Sequence, residues 1–298
     1  MDEVMVARVR RFNRVVTQRV GALNDHFLSL GRPLGESRLL WEIGTEGRSV
    51  RSLRAQLDLD SGYLSRLLRS LERAGLVVTG PDQADRRVTV ARLTQAGLAE
   101  RDQLDRRADE LAASLLDPLT ERQRDRLVAA MSDVERLLTA AGVRVAPADP
   151  ADAAARFCVG EYVAELNSRF DAGFDPARSI PAADADLRPP AGLMLVATLN
   201  GAPVGCGALK LHGTEPAEIK RMWVAESARG LGLGRRLLTE LERRAATLGA
   251  RVVRLETNQT LTEAIELYRS AGYTEVEAFD AEPYAHHWFE KTLPADAR

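Results

Sequence analysis

Cysteine occurs only twice in 298 residues, as Cys158 and Cys206. That is too few for a disulfide framework, and no zinc-ligand spacing is present. Both lie in apolar surroundings and read as small buried hydrophobes rather than a bridge or a reactive thiol. No stretch approaches the ~18 apolar residues of a membrane span. The charged start, Met1-Asp2-Glu3-Val4-Met5, lacks the apolar core of a signal peptide, so a cytoplasmic protein is expected. Internal repeats and low-complexity segments are missing, as is any serine or cysteine triad, and no metal is expected. Lysine is absent before Lys210, so every base in the N-terminal part is an arginine.

The whole chain has a net charge of -2, which conceals a difference between its halves. Up to Arg144 there are 24 arginines against 21 acids, while the remainder carries 17 bases against 22 acids. A mildly basic half beside an acidic one suits a nucleic-acid partner for the first. At this length, with 45% hydrophobic residues, two cores are expected. We place the boundary near Gly142, giving residues 1–141 and 142–298.

In the first part, Val6, Val9, Phe12, Val16, Val20, Leu23 and Phe27 recur every three or four residues, predicting a helix from about Val4 to Leu30. Breakers follow from Gly31 to Gly35, then a helix from Glu36 to Gly44. Ser49 is a candidate N-cap for a short helix through Leu57. After an Asp58-Leu59-Asp60 turn, Ser61 to Ala74 forms a helix with Leu64, Leu67, Leu68 and Leu71 on one face, closed by Gly75. Val77–Thr79 and Val88–Val90 flank Gly80-Pro81-Asp82 as a two-stranded wing. Long helices from Leu93 to about Leu116 and Thr120 to about Ala141, interrupted at Asp117-Pro118, are candidate dimer arms.

With those leucines turned inward, Ser61, Tyr63, Ser65, Arg66 and Arg69 occupy the outer face, where arginine and serine can meet base edges and phosphates. Arg86 and Arg87 at the wing tip suit a narrow minor groove. The alternative is a solvated bundle whose arginines serve solubility. The run Leu57 to Ala74, the Asp85-Arg86-Arg87 wing, and Leu93-Thr94 with Gly97 resemble the MarR family of transcriptional regulators. That resemblance implies a winged helix-turn-helix fold, a homodimer built by the terminal helices, and binding to double-stranded DNA. It also gives Asp85 a positioning role toward an arginine, with Arg87 as the contact.

In the second part, Val143 to Pro147 is β-prone. Asp149-Pro150 reads as the cap and first-turn proline of a helix through about Phe170. After a loop from Asp171 to Pro190, two strands flank the Asn200-Gly201 turn signal. The strand Glu218–Val224 then leads into a glycine-rich turn, Gly230, Gly232 and Gly234, and a helix from Leu231 to Leu248. Glycines between a strand and a helix let backbone approach a phosphate at the positive end of the helix. Glycine in loops also serves turning alone. A dinucleotide fingerprint fits less well, because Glu256 is followed by Thr257-Asn258 rather than the expected setting.

Arg229-x-x-Gly232-x-Gly234, followed by Val252 to Glu256, Asn258, and Ala264 through Tyr268 to Tyr273, resembles the GNAT superfamily of N-acetyltransferases over about 150 residues. The resemblance implies an α/β fold with a mixed central sheet and acetyl-CoA as donor. It puts backbone N–H groups of Arg229, Gly230, Leu231, Gly232, Leu233 and Gly234 on the pyrophosphate, Met222 and Val224 along the pantetheine arm, and Asn258 beside the donor. Tyr268 would protonate the leaving thiolate, since a phenol has a higher pKa than a thiol.

Transfer to an amine needs a group that takes its proton, and Glu218 is the candidate base. Its alternative is an ion pair with Lys220 or Arg221. Phe174 and Asp175, in the run from Phe170, and His286, beside His287, are candidates for the acceptor site, with ordinary loop and surface roles as alternatives. The function expected is a DNA-binding regulator fused to an acetyl-CoA-dependent N-acetyltransferase acting on a primary amine, nucleoid-associated when bound to DNA. Two alternatives remain: a regulator whose C-terminal domain senses acetyl-CoA or an amine without turnover, and an acetyltransferase whose N-terminal bundle only dimerises it.

Overall fold

The computed structural model describes residues 2–23, 28, 31–180, 182–213 and 215–294. It divides into two compact units, Met1–Met131 and Ser132–Arg298, so the division falls inside a helix that runs on to Gly142.

The first unit opens with α1 (Glu3–Arg19), capped by the Asp2 carboxylate on the Val4 N–H. This helix is shorter than its periodicity predicts, because Gly21 takes a φ of 68° that no helix continues. The predicted continuation through Phe27 and Leu30 lies outside the described residues. α2 (Leu34–Ile43) and α3 (Val50–Leu57) follow, the latter capped by Ser49 on the Ser52 N–H. Asp58 turns the chain in a left-handed conformation and Asp60 caps α4 (Ser61–Arg73) through the Tyr63 N–H. Leu64, Leu67, Leu68 and Leu71 of α4 join Leu39, Leu40, Ile43 and Leu53 in one core.

The wing holds a strand more than the sequence suggests. Arg48–Ser49 form β1, which pairs with β3 (Thr89–Leu93), and β3 pairs in turn with β2 (Val77–Pro81). Two residues carry no periodicity, so β1 is invisible until β3 is in place. α5 (Gln95–Leu116) begins at Thr94, whose hydroxyl accepts from the Gly97 N–H and donates to the Gly75 carbonyl. α6 (Glu121–Gly142) follows. Neither α1 nor α6 has a buried residue.

The second unit is built on a seven-stranded mixed sheet in the order β4-β5-β6-β7-β8-β10-β9. β4 (Arg144–Ala148) leads to α7 (Ala153–Arg169). That helix starts later than Asp149-Pro150 predicts, because the Asp149 carboxylate is committed to Arg188, at 2.6 and 2.9 Å, and to the Ala151 N–H. The loop after α7 contains a 3-10 turn, Asp184–Leu187. β5 (Gly192–Leu199) and β6 (Ala202–His212) form the Asn200-Gly201 hairpin, and β7 (Glu215–Val224) is antiparallel to β6.

α8 (Leu233–Thr247) crosses to β8 (Val252–Thr257), the one strand laid parallel to its neighbour β7. Then come α9 (Thr262–Ser270), β9 (Thr274–Val276) and β10 (His287–Thr292). Alternate residues of β5 face two cores: Leu193, Leu195 and Ala197 meet Leu237 and Leu241 of α8, while Met194 and Val196 meet Ala155 and Cys158 of α7. Both cysteines are free and buried, with the Cys158 thiol on the Gly205 carbonyl and the Cys206 thiol on the Arg221 carbonyl.

Candidate functional site

β7 and β8 are registered at only two positions, Ala217 with Val253 and Glu218 with Arg254, and then part. The cause lies in β7. Arg221 has a φ of 56°, and the pairing with β6 shifts between Cys206 and Ala208, so the strand bulges there. Beyond the bulge, Met222, Trp223 and Val224 flank a groove of about 530 Å³ that continues to Arg229, Gly230, Gly232, Leu233 and Gly234.

Gly232 is the N-cap of α8 with a φ of 74°, and no side chain caps the helix. The first N–H groups of α8 are therefore left for an anion, and a Cβ at Gly230 or Gly232 would meet nothing within 4 Å. Because Gly232 cannot be helical at this φ, α8 starts after Leu231. Leu231 packs against the core and does not line the groove.

Three arginines that the sequence reading did not combine surround this groove. Arg229 donates to Glu165 at 2.6 Å and to the Val224 carbonyl, Arg169 donates to Glu263 and the Thr260 carbonyl, and Arg235 reaches Ser270. Arg169 and Arg235 belong to two different helices, so no local motif joins them.

A second cavity, of about 220 Å³, shares Tyr162, Leu166, Met222, Leu261, Ala264 and Tyr268 with the groove. Tyr268, 5% exposed, thus stands where the two spaces meet. Burial, then the neighbouring Glu256, pushes its phenol well above the ordinary range, and Tyr162 is raised for the same reasons. Both keep their protons.

Phe174 lines the cavity with Phe170 and Tyr284, ring centroids 4.9–5.8 Å apart. Asp175 does not. It is exposed, its carboxylate accepts the Ala177 N–H, and its own N–H donates to the Tyr284 hydroxyl at 3.0 Å. His286 is exposed as well, pairing through its backbone with Thr257, while the neighbouring Tyr284 and Ala285 face the cavity. His287 contacts Glu275. Asn258 lines the cavity rather than the groove. Its amide holds the turn after β8, donating to the Tyr284 carbonyl and accepting from the Thr260 N–H.

Glu218, the candidate base, is committed to ion pairs. Its carboxylate lines neither space and takes both Nε and Nη2 of Arg254, with His212 and Lys220 at 3.4 and 3.5 Å. Burial raises its carboxyl, but these cations together hold it below the usual range. One strand over, Glu256 has the opposite character. It lines the cavity, burial raises its carboxyl despite Lys220 at 2.6 Å, and its Oε2 is buried with no hydrogen bond among the described residues.

In the first unit, Ser61, Tyr63, Ser65, Arg66 and Arg69 all lie on the exposed side of α4, with the Arg66 guanidinium 5.5 Å from the Tyr63 ring centre. On the wing, Arg86 and Arg87 are exposed. Asp85 grips Arg87 with both oxygens at 3.0 Å, which holds the guanidinium at the tip.

The MarR family model matches residues 30–87 and the acetyltransferase (GNAT) family model matches residues 161–273. Among curated proteins, an "IAA acetyltransferase" of Azospirillum brasilense is 42% identical over 83 residues, 27% of this chain and 54% of that protein. An uncharacterized N-acetyltransferase of Schizosaccharomyces pombe is 38% identical over 101 residues, 33% of this chain and 59% of that protein. The chain thus spans a little over half the length of each. Among solved structures, the "putative acyl-CoA N-acyltransferase" from Klebsiella pneumoniae is similar over 51% of this chain and 98% of its own, at 27% identity and a TM-score of 0.41. Residues 30–87 thus match the MarR family and residues 161–273 the acetyltransferase (GNAT) family, one match in each compact unit.

Proposed function

We propose that the C-terminal unit transfers the acetyl group of acetyl-CoA to a primary amine and that the N-terminal unit binds double-stranded DNA as a homodimer. The observation that carries the first half is the junction at Tyr268 of a glycine-ended groove with a second, smaller cavity, one space for a donor and one for an acceptor. The groove suits acetyl-CoA: the free end of α8 and Arg169, Arg229 and Arg235 answer its phosphates, and the side of β7 that β8 leaves open at Met222 to Val224 suits its amide-bearing arm. The donor supplies the activated thioester, and the chain's own groups manage the protons.

Glu256 Oε2 takes one proton from the acceptor ammonium, freeing the nitrogen lone pair. The C–N bond forms at the thioester carbonyl as the C–S bond breaks, and Tyr268 gives its proton to the departing sulfur while the nitrogen's second proton returns to the site. The products are an amide, a thiol and one proton passed to solvent. Tyr268→Phe is expected to lower turnover by about 10²-fold with donor affinity kept, as read by thiol release and calorimetry. Donor binding with no transfer to any amine would favour the sensor reading instead.

For DNA, the exposed face of α4 and the Asp85-held Arg87 form the contact surface. Exposed Val9, Phe12 and Val15 of α1 and Leu137 and Leu138 of α6 give the terminal helices apolar faces for a second copy. We keep Gly142, where α6 ends, as the functional joint between residues 1–141 and 142–298. We assign such a protein to the cytoplasm, on the nucleoid when bound to DNA. Fluorescence anisotropy with the protein's own upstream DNA is expected to show salt-dependent binding that Arg66→Ala weakens. Binding indifferent to that change and to salt would leave the bundle a dimeriser only.

A further inference from the structure

Two charges on the wall of the smaller cavity lack a complete partner. The first is Arg221. Its left-handed φ of 56° breaks the alternation of β7, so Lys220, Arg221 and Met222 all line the cavity in succession. One Nη donates to the Ala182 carbonyl at 2.6 Å, and no carboxylate pairs with the guanidinium among the described residues. The second is Glu256. Lys220 holds one oxygen at 2.6 Å while also facing Glu218 at 3.5 Å, and the other oxygen, Oε2, is buried and accepts nothing among the described residues.

A half-buried guanidinium without an anion and a carboxylate oxygen without a donor are costly arrangements unless a ligand completes them. Arg221 and Glu256 line the same cavity as Tyr162 and Tyr268. Phe170, Phe174 and Tyr284 give the wall an aromatic side, and its other carboxylate, Glu282, is already taken by the Ser179 hydroxyl and the Ile180 and Tyr284 N–H groups.

We infer that the acceptor is a small amino acid with an apolar or aromatic side chain, its ammonium at Glu256 Oε2, its carboxylate at Arg221 and its side chain against the three rings. Arg221 would repel the second ammonium of a diamine. A lysine within a peptide brings no carboxylate to that guanidinium. This assignment rests on the acetyl-transfer reading and adds the class of acceptor to it.

The test uses the full-length protein, acetyl-CoA and a thiol-release assay. Phenylalanine and leucine are compared with phenethylamine and isopentylamine, which differ from them only by the lost carboxylate, and with a blocked lysine peptide. The amino acids are expected to lead their decarboxylated counterparts in kcat/KM by roughly 10- to 100-fold, the range for one charge-assisted contact. Arg221→Gln is expected to bring that ratio toward one, mostly through KM, and Arg221→Lys to keep most of it. Equal rates for amino acid and amine in the unaltered protein, or preference for the lysine peptide, overturn the assignment and leave acetyl transfer standing. Acetylation of none of these compounds overturns both.

Discussion

Glu218 and Glu256 carry the same functional group on adjacent strands, yet their surroundings drive them in opposite directions, below and above the usual carboxylate range. A base must be ionised to accept a proton, so the rate should fall as pH drops through the raised pKa of Glu256, at a pH above the ordinary ~4.3 of glutamate. Glu256→Gln is expected to lower kcat/KM by about 10² or more and to abolish that acid limb, while Glu218→Gln leaves it in place. A pH–rate profile of each variant decides this, and an unshifted limb in Glu256→Gln would sink the assignment of base. The sequence offers both residues as acids in β-prone runs. Which one meets the acceptor depends on the register of β7 against β8 and on the Arg221 bulge, and neither leaves a local signature. Tyr268 stood out for the contrary reason, since it lies in the contiguous run Ala264 to Tyr273 that carries the GNAT resemblance.

Among elements, the clearest lock is where α5 leaves the wing. Thr94 ties back to the Gly75 and Leu76 carbonyls, and a Cβ on Gly97 would lie 2.1 Å from the Leu76 carbonyl oxygen. Gly97→Ala must push α5 away from the α4–β2 connection, at about 1–3 kcal/mol or more, measurable by urea unfolding followed by circular dichroism. The wing makes a separate prediction: Arg87→Ala should weaken operator binding uniformly and reduce the salt slope by about 1. In the second unit, Arg188 first and then the Ala151 N–H hold Asp149 at about 2. Its depressed pKa means that its contribution is present above the unfolded value of ~3.9 and is lost as pH falls toward 2. Asp149→Asn should flatten acid unfolding in that window. The cap at Ser49 was readable because it depends on a neighbour three residues away, whereas Asp60 read only as part of a turn and Thr94 only as part of a helix start. Asp149 was misread as a cap because its true partner, Arg188, is distant in sequence.

At the scale of the molecule, two compact units with separate cores imply separate responses to ligands. Acetyl-CoA at 100 times its Kd should stabilise the second unit by about 2.7 kcal/mol, raising one calorimetric transition and leaving the other in place. The apolar face of α1, with Phe12 49% and Val9 59% exposed, predicts that Val9→Glu with Phe12→Glu yields monomers by sedimentation. Two domains could be read from composition and motifs, but contacts alone divide them at Met131, since a continuous helix gives no compositional break there. The parting of β7 and β8 has a consequence of another kind. It places an open strand edge inside a sheet rather than at its rim, and open edges recruit foreign strands. Protein starved of acetyl-CoA should therefore aggregate sooner than protein saturated with it, so the donor doubles as the plug that keeps the sheet from pairing with the wrong chain.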